Sequence, residues 1–227
     1  MTTQKRQNDM PDVDEVLGRS EAFLLKYKNV LLGGLAAIIL AVAGTVLYKQ
    51  YYAAPRAEKA EAALFKGQTY FDQENYELAL NGDSLGYTGF LKVAAEFSGT
   101  DAGNLANAYA GLCYAHLGDN ENAIKMLTAF DGNDQMVSPA ILGATGNCYA
   151  RLGQLDKAAS TLLSAADKAD NNTLSPIFLM QAADIFLSQG KADEALKAYT
   201  KVKEKYFQSF QAMDIDKYIE KAQLMKN

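Results

Sequence analysis

One stretch limits every architecture open to this chain. Residues 30–48, VLLGGLAAIILAVAGTVLY, form nineteen positions without a charge. Wound as an α-helix, a run of that length reaches roughly 29 Å, about the thickness of a bilayer's hydrocarbon core. A helix satisfies its own backbone amides, which is what lipid requires of any segment that crosses it. A buried core helix would usually carry a polar side, and this run has none. A secretion signal is the stronger rival, because Ala41-Val42-Ala43 has the small-x-small form of a cleavage site. The 29 residues before the run are long for such a signal, and the apolar stretch continues past the site. An uncleaved transmembrane helix over 30–48 is therefore the expectation.

The ends of that run suit a membrane interface. Tyr27, Tyr48, Tyr51 and Tyr52 belong at headgroup level, with Lys26, Lys28 and Lys49 just beyond. Gly33, Ala37, Ala41 and Thr45 recur every four residues, a small-residue seam that permits close helix packing. Ordinary membrane-helix composition accounts for the same seam, and the two readings stay open.

The net charge of −5 gives no electrostatic footprint for nucleic acid. Residues 1–29 carry five basic and five acidic side chains, so the whole excess lies after the run begins. An acidic domain is held off anionic headgroups. Basic residues flank both ends of the run almost equally, so charge decides little about orientation; the short uncleaved leader favours a cytoplasmic N-terminus. Two cysteines, Cys113 and Cys148, are too few for a disulfide framework, and none follows the run closely enough for a lipid anchor.

In chain order, residues 1–11 read as a disordered polar leader. From Asp12, the positions Val13, Val16, Leu17, Ser20, Leu24 and Tyr27 share one helical face. Residues 49–56 read as a juxtamembrane linker in which Pro55 breaks or kinks the helix. Beyond it a pattern repeats: a small residue, an aromatic three on, a glycine four further, an alanine five further. Gly111, Tyr114, Gly118 and Ala123 fit; so do Gly146, Tyr149, Gly153 and Ala158, and Ala183, Phe186, Gly190 and Ala195. A large residue follows each alanine by four: Leu127, Leu162 and Tyr199. The small residue permits two helices to cross closely, the aromatic fills the space beside the crossing, and the glycine supplies positive φ where the first helix ends. Ser138-Pro139, Ser175-Pro176 and Thr100 are the expected N-caps. Gly67, Tyr70 and Ala79 begin an earlier, degenerate copy in which Glu74 replaces the glycine. There the loop Asn81-Gly82-Asp83-Ser84 displaces the second helix, which resumes over 87–97.

This pattern resembles the tetratricopeptide repeat, a helix-turn-helix unit of about 34 residues. The resulting expectation is an all-α fold: one transmembrane helix, then a solenoid of about four helix pairs and a capping helix. The segments are 57–99 (degenerate), 104–137, 139–172, 176–209 and the cap at 209–226. A short tail, one span and a repeat domain together resemble the YfgM-type bacterial inner-membrane proteins. That resemblance implies a periplasmic domain, association with the Sec translocon and partnership with a membrane-anchored periplasmic chaperone.

No cofactor, metal or small-molecule chemistry assembles from the residues. His116 is the sole histidine and would be the only candidate base of its kind, while zinc spacing and phosphate loops are missing from the sequence. Asp131-Gly132-Asn133-Asp134 lacks the full calcium-loop pattern and reads as an inter-repeat turn. Asp83-Ser84-Leu85 resembles the short O-glycan acceptor of some bacterial envelope proteins. What remains is a surface for other polypeptides. In repeats of this kind the inner face comes from fixed positions of each first helix, here Leu105, Ala108, Leu112 and His116. Asn147 and Arg151, then Ile177, Met180 and Asp184, continue it. A non-catalytic adaptor at the translocon is the favoured expectation, a structural subunit of another envelope export, cell-wall or division complex the alternative, and an enzyme the third.

Overall fold

The computed structural model describes residues 13–226, and the side chains of Glu21 and of residues 23–226. The polar leader 1–11 and Asp12 lie outside the described residues, and of the leading face Val13, Val16, Leu17 and Ser20 only the backbone is described. The chain divides into two units, Met1–Pro55 and Arg56–Asn227.

The first unit is built on α1 (Val13–Tyr48), 36 residues long. Every side chain of its apolar run is exposed, as expected for a helix whose solvent is something other than this protein. It is long and apolar enough to cross a membrane. Thr45 turns its hydroxyl back onto the carbonyls of Ala41 and Val42, which satisfies the one polar side chain inside the run before its closing tyrosine. Tyr48 and Tyr52 stack at 5.2 Å at the end of the run. Of the two expected outcomes at Pro55, a break or a kink, the helix does not break. A π-turn over Lys49–Ala53 precedes it, and α2 (Ala54–Asp72) then carries Pro55 in its first turn. Proline lacks the N–H for a carbonyl four back and crowds that carbonyl; a wider turn just upstream relieves both problems.

In the second unit the helices follow as α3 (Tyr76–Asn81), α4 (Phe90–Glu96), α5 (Asp101–Leu117), α6 (Asn120–Ala129), α7 (Val137–Arg151) and α8 (Leu155–Ala169). Next come α9 (Ser175–Ser188), α10 (Ala192–Lys205), a 3₁₀ turn (Phe210–Asp214) and α11 (Ile215–Lys226). From α4 onward each helix packs on the one before and the one after it, which makes a TPR-like α-solenoid. The described residues contain no strand.

The repeated residues do the work their types suggest. A Cβ on Gly111 would lie 2.6 Å from Leu127, and one on Gly146 2.9 Å from Leu162, so each glycine seats the large residue of its partner helix. Ala123, Ala158 and Ala195 are fully buried at these crossings. Each first helix closes in the same way. Gly118 donates to Ala115 O, Gly153 to Ala150 O and Gly190 to Leu187 O. The next residue donates to the carbonyl of the marked aromatic: Asp119 to Tyr114, Gln154 to Tyr149 and Lys191 to Phe186. This is the Schellman arrangement, and the glycines adopt φ of 86°, 71° and 72°. The degenerate copy closes identically, Glu74 donating to Phe71 O and Asn75 to Tyr70 O, although Glu74 must then hold φ at 59°.

In that first copy α3 is only six residues long and α4 begins at Phe90, three residues later than expected. Tyr87 stays in the loop, its hydroxyl donating to Ala79 O at 2.8 Å. Tyr87 and Phe90 together fill the space beside Gly67 that Leu127 and Leu162 fill beside Gly111 and Gly146.

Two of the three expected caps differ. Thr100 accepts from Gly103 N at 3.0 Å as anticipated. Ser138 and Ser175 are buried and do not cap. Ser138 donates to Asp134, whose carboxylate accepts the N–H groups of Met136, Val137 and Ser138 and is the actual cap of α7. Ser175 donates to Ala166 O across to α8, and Asn171 Oδ1 accepts from Thr173 and Leu174 at the start of α9. Asp134 is thus spent on a helix end, and Asp131 N–H is held by Asn104 Oδ1.

Candidate functional site

A hollow of about 160 Å³ opens between α5 and α7, lined by Leu112, Ala115, His116, Ala144, Asn147, Cys148 and Arg151. Four of the nine residues expected at the inner face meet there: Leu112, His116, Asn147 and Arg151. They converge because α5 and α7 are equivalent first helices. Leu112 and Asn147 differ by 35 positions, one repeat, and His116 and Arg151 likewise. Arg151 Nη1 donates to Ala115 O at 2.8 Å, which fixes the guanidinium over the end of α5. The floor is apolar, and an amide and a guanidinium stand at the rim.

His116 belongs to a second feature that the sequence did not disclose. Its ring stacks on Tyr76 with centroids 4.3 Å apart and planes at 8°, and Phe71 meets it edge-on at 6.0 Å. Phe71 in turn meets Tyr109 edge-on, and Tyr109 stacks on Phe90. Gln68 Nε2 donates to Tyr109 OH. The imidazole is therefore a packing surface at one wall of the hollow. The partners lie up to 45 residues away in sequence, and only the helix-turn-helix spacing of the first copy could have pointed to them.

The remaining expected residues go elsewhere. Ala108 is 3% exposed and belongs to the core with Leu127 and Cys148, so it offers no surface; an alanine small enough for a helix crossing is buried by that crossing. Leu105 is half-buried against the first-copy core. Ile177 and Met180 are half-buried against the C-terminal core. Asp184 is exposed and accepts from Tyr199 OH at 2.9 Å. The seam residues Gly33, Ala37 and Ala41 lie exposed on α1. Ala144 and Cys148 were missed as lining residues, although their positions follow from those of Leu112 and Asn147 on consecutive turns.

Cys113 and Cys148 are free and buried. Burial pushes the Cys113 thiol up to about 12 and raises that of Cys148, which Arg151 only partly counteracts. Neither thiol is poised as a nucleophile. Among the described residues, no three His, Cys, Asp or Glu side chains gather as a metal-holding group.

Comparison with known proteins agrees with the helix-pair fold. The tetratricopeptide repeat family matches residues 178–220, from α9 into α11. Two crystal structures of putative kinesin light chain TPR-like repeats from Podosopora anserina, one of them a variant, superpose with a TM-score of 0.55 at 11% identity. Each alignment covers 74% of this chain and 87% of theirs. At that identity the likeness shows the fold. No curated protein matches the chain.

Proposed function

We propose that this chain is a membrane-tethered adaptor whose α5/α7 hollow holds a segment of another polypeptide. The observation that carries the reading is the convergence of two equivalent pairs from consecutive repeats, Leu112 with Asn147 and His116 with Arg151, around an apolar floor. Solenoids of stacked helix pairs build their binding surfaces in this way, and a short apolar segment with one or two hydrogen-bonding groups suits such a trough. Catalysis finds no support in the site, where the thiols are buried and the histidine is stacked on Tyr76 with Phe71 edge-on.

The architecture supports a finer reading. Residues 30–48 span the inner membrane, the N-terminus lies in the cytoplasm, and the helical domain stands in the periplasm beside the Sec translocon and a membrane-anchored chaperone. The flanking tyrosines and lysines support the span, and the resemblance to the YfgM-type proteins supports its side and its partners. A photo-crosslinking residue at Asn147 or Leu112, with one at exposed Lys125 as control, tests the trough. Crosslinks to a discrete partner from the first two positions and none from the third are expected; equal yields from all three would remove it. Mass spectrometry of the captured protein then separates translocon and chaperone from another envelope complex. Protease accessibility in spheroplasts decides the side.

A further inference from the structure

The loop over residues 82–89 separates α3 from α4 and has no counterpart of equal length within the later helix pairs. It is fixed in place. Asp83 accepts from Leu85 N and Tyr87 N at 2.8 Å each and from Tyr70 OH at 2.6 Å, and its own N–H donates to Tyr87 O. Gly82 and Gly89 both hold positive φ, and a Cβ on either would strike the backbone of the opposite limb. The neck of the loop is closed and its base is tied to the core through Tyr87.

This framework presents Ser84 and Leu85 outward. Leu85 is 86% exposed, the most exposed large apolar side chain among the described residues. The exposed hydroxyls of Thr69, Thr128, Ser160, Ser164 and Ser188 each donate to a helix carbonyl three or four residues back. The Ser84 hydroxyl has no partner among the described residues, and neither do those of exposed Thr88, Ser98 and Thr173; of these four only Ser84 follows an aspartate and precedes an apolar side chain. The residues on either side of it, Asp83 and Leu85, line a hollow of about 420 Å³ together with Phe65, Lys66, Thr69, Tyr70 and Gln73. Phe65 is 70% exposed. An exposed aromatic ring, an apolar side chain and the polar ends of Gln73, Thr69 and Lys66 form the mixed surface on which a sugar ring rests, C–H groups on the ring and hydroxyls on the polar groups.

We propose that Ser84 is an O-glycosylation site, read from the Asp83-Ser84-Leu85 turn, with its first sugar lying against the Phe65/Leu85 hollow. The transfer is balanced by an activated donor, a sugar linked to a nucleotide or lipid diphosphate. Ser84 Oγ forms the bond to the anomeric carbon, the bond to phosphate breaks with its electron pair, and the serine proton passes to a base of the transferase. A neutral sugar fits beside the Asp83 carboxylate, whereas a phosphate there would meet like charge. The site is independent of the α5/α7 trough.

The test uses the full chain, tagged and purified from its native cells. Cleavage after Lys66 and Lys92 releases residues 67–92, which contain Ser84, Thr69 and Thr88. Mass spectrometry is expected to find this peptide heavier by whole sugar residues, with fragmentation placing the gain on Ser84. The gain is expected to vanish in Ser84→Ala, persist in Ser84→Thr, and vanish in Leu85→Asp, while circular dichroism stays unchanged. An unshifted peptide, a gain on Thr69 or Thr88, or the gain of a phosphate would overturn the site. Crosslinking from Asn147 reports on the trough in the same cells and is unaffected by either result.

Discussion

Glu74 occupies a backbone position that three glycines occupy elsewhere, and it holds φ at 59° against the preference of any residue with a Cβ. Glu74→Gly is expected to stabilise the domain by about 0.5–1 kcal/mol, part of the relief being returned as glycine's extra chain entropy; a urea melt measures it. Gly111 gives the opposite case. Gly111→Ala drives a methyl to within 2.6 Å of Leu127 and 2.9 Å of its backbone nitrogen, and the expected loss is about 1–3 kcal/mol despite alanine's better helix propensity. Gly146→Ala meets only the side chain of Leu162 below 3.0 Å and is expected to cost less in the same assay. Acid should act through a few aspartates. Hydrogen bonds from Ser138 and the α7 backbone hold Asp134 below the usual carboxylate range; Tyr70 does so for Asp83, Lys191 for Asp156 and Lys205 for Asp170. A depressed native pKa adds stability that is present above the unfolded value near ~4 and is lost as pH falls below it. Melting temperature is therefore expected to hold from pH 7 to 5 and drop below 4, with a shallower drop in Asp134→Asn.

At the scale of the element, the helix pairs were readable because close crossings tolerate few residue types. Gly111/Leu127 and Gly146/Leu162 announce themselves in sequence, and so do the closing glycines. Their counterparts in α9 and α10, Ala183 and Tyr199, sit in the same relation. Tyr199 is fully buried with its hydroxyl on Asp184, and Tyr199→Phe is expected to cost about 1 kcal/mol in a denaturant melt. What escaped the sequence depended on partners outside the local window. Ser175 looks like a cap until Ala166 O, nine residues back, takes its hydroxyl. Ala108 looks like a groove residue until α6 and α7 close over it. Pro55 looks like a break until the π-turn ahead of it makes room. The ring wall around His116 needs α2, α3 and α5 assembled before any of its contacts exist.

At the scale of the molecule, neighbouring repeats are tied by side chains about one period apart, and the ties change character along the stack. Gln68 reaches Tyr109 near the start. In the middle the acceptors are backbone carbonyls: Arg151 on Ala115, Lys168 on Gly132 and Asn171 on Gln135. Toward the end they are carboxylates: Lys191 with Asp156, Lys201 with Asp167, Lys205 with Asp170 and Lys226 with Asp193. Each exposed pair is worth about 0–1 kcal/mol and is screened by salt. Hydrogen exchange at high salt is therefore expected to quicken in α10 and α11 and leave α5 and α7 unchanged. The same gradation has a mechanical meaning. A load drawn between α1 and the final helix would meet contacts of unequal kind, and those resting on charge would yield first in strong electrolyte. The far end would peel away as a unit while the segment around Asn147 stayed intact, so a force spectrum of the whole chain should show a short early extension that grows easier with added salt and a later one that does not.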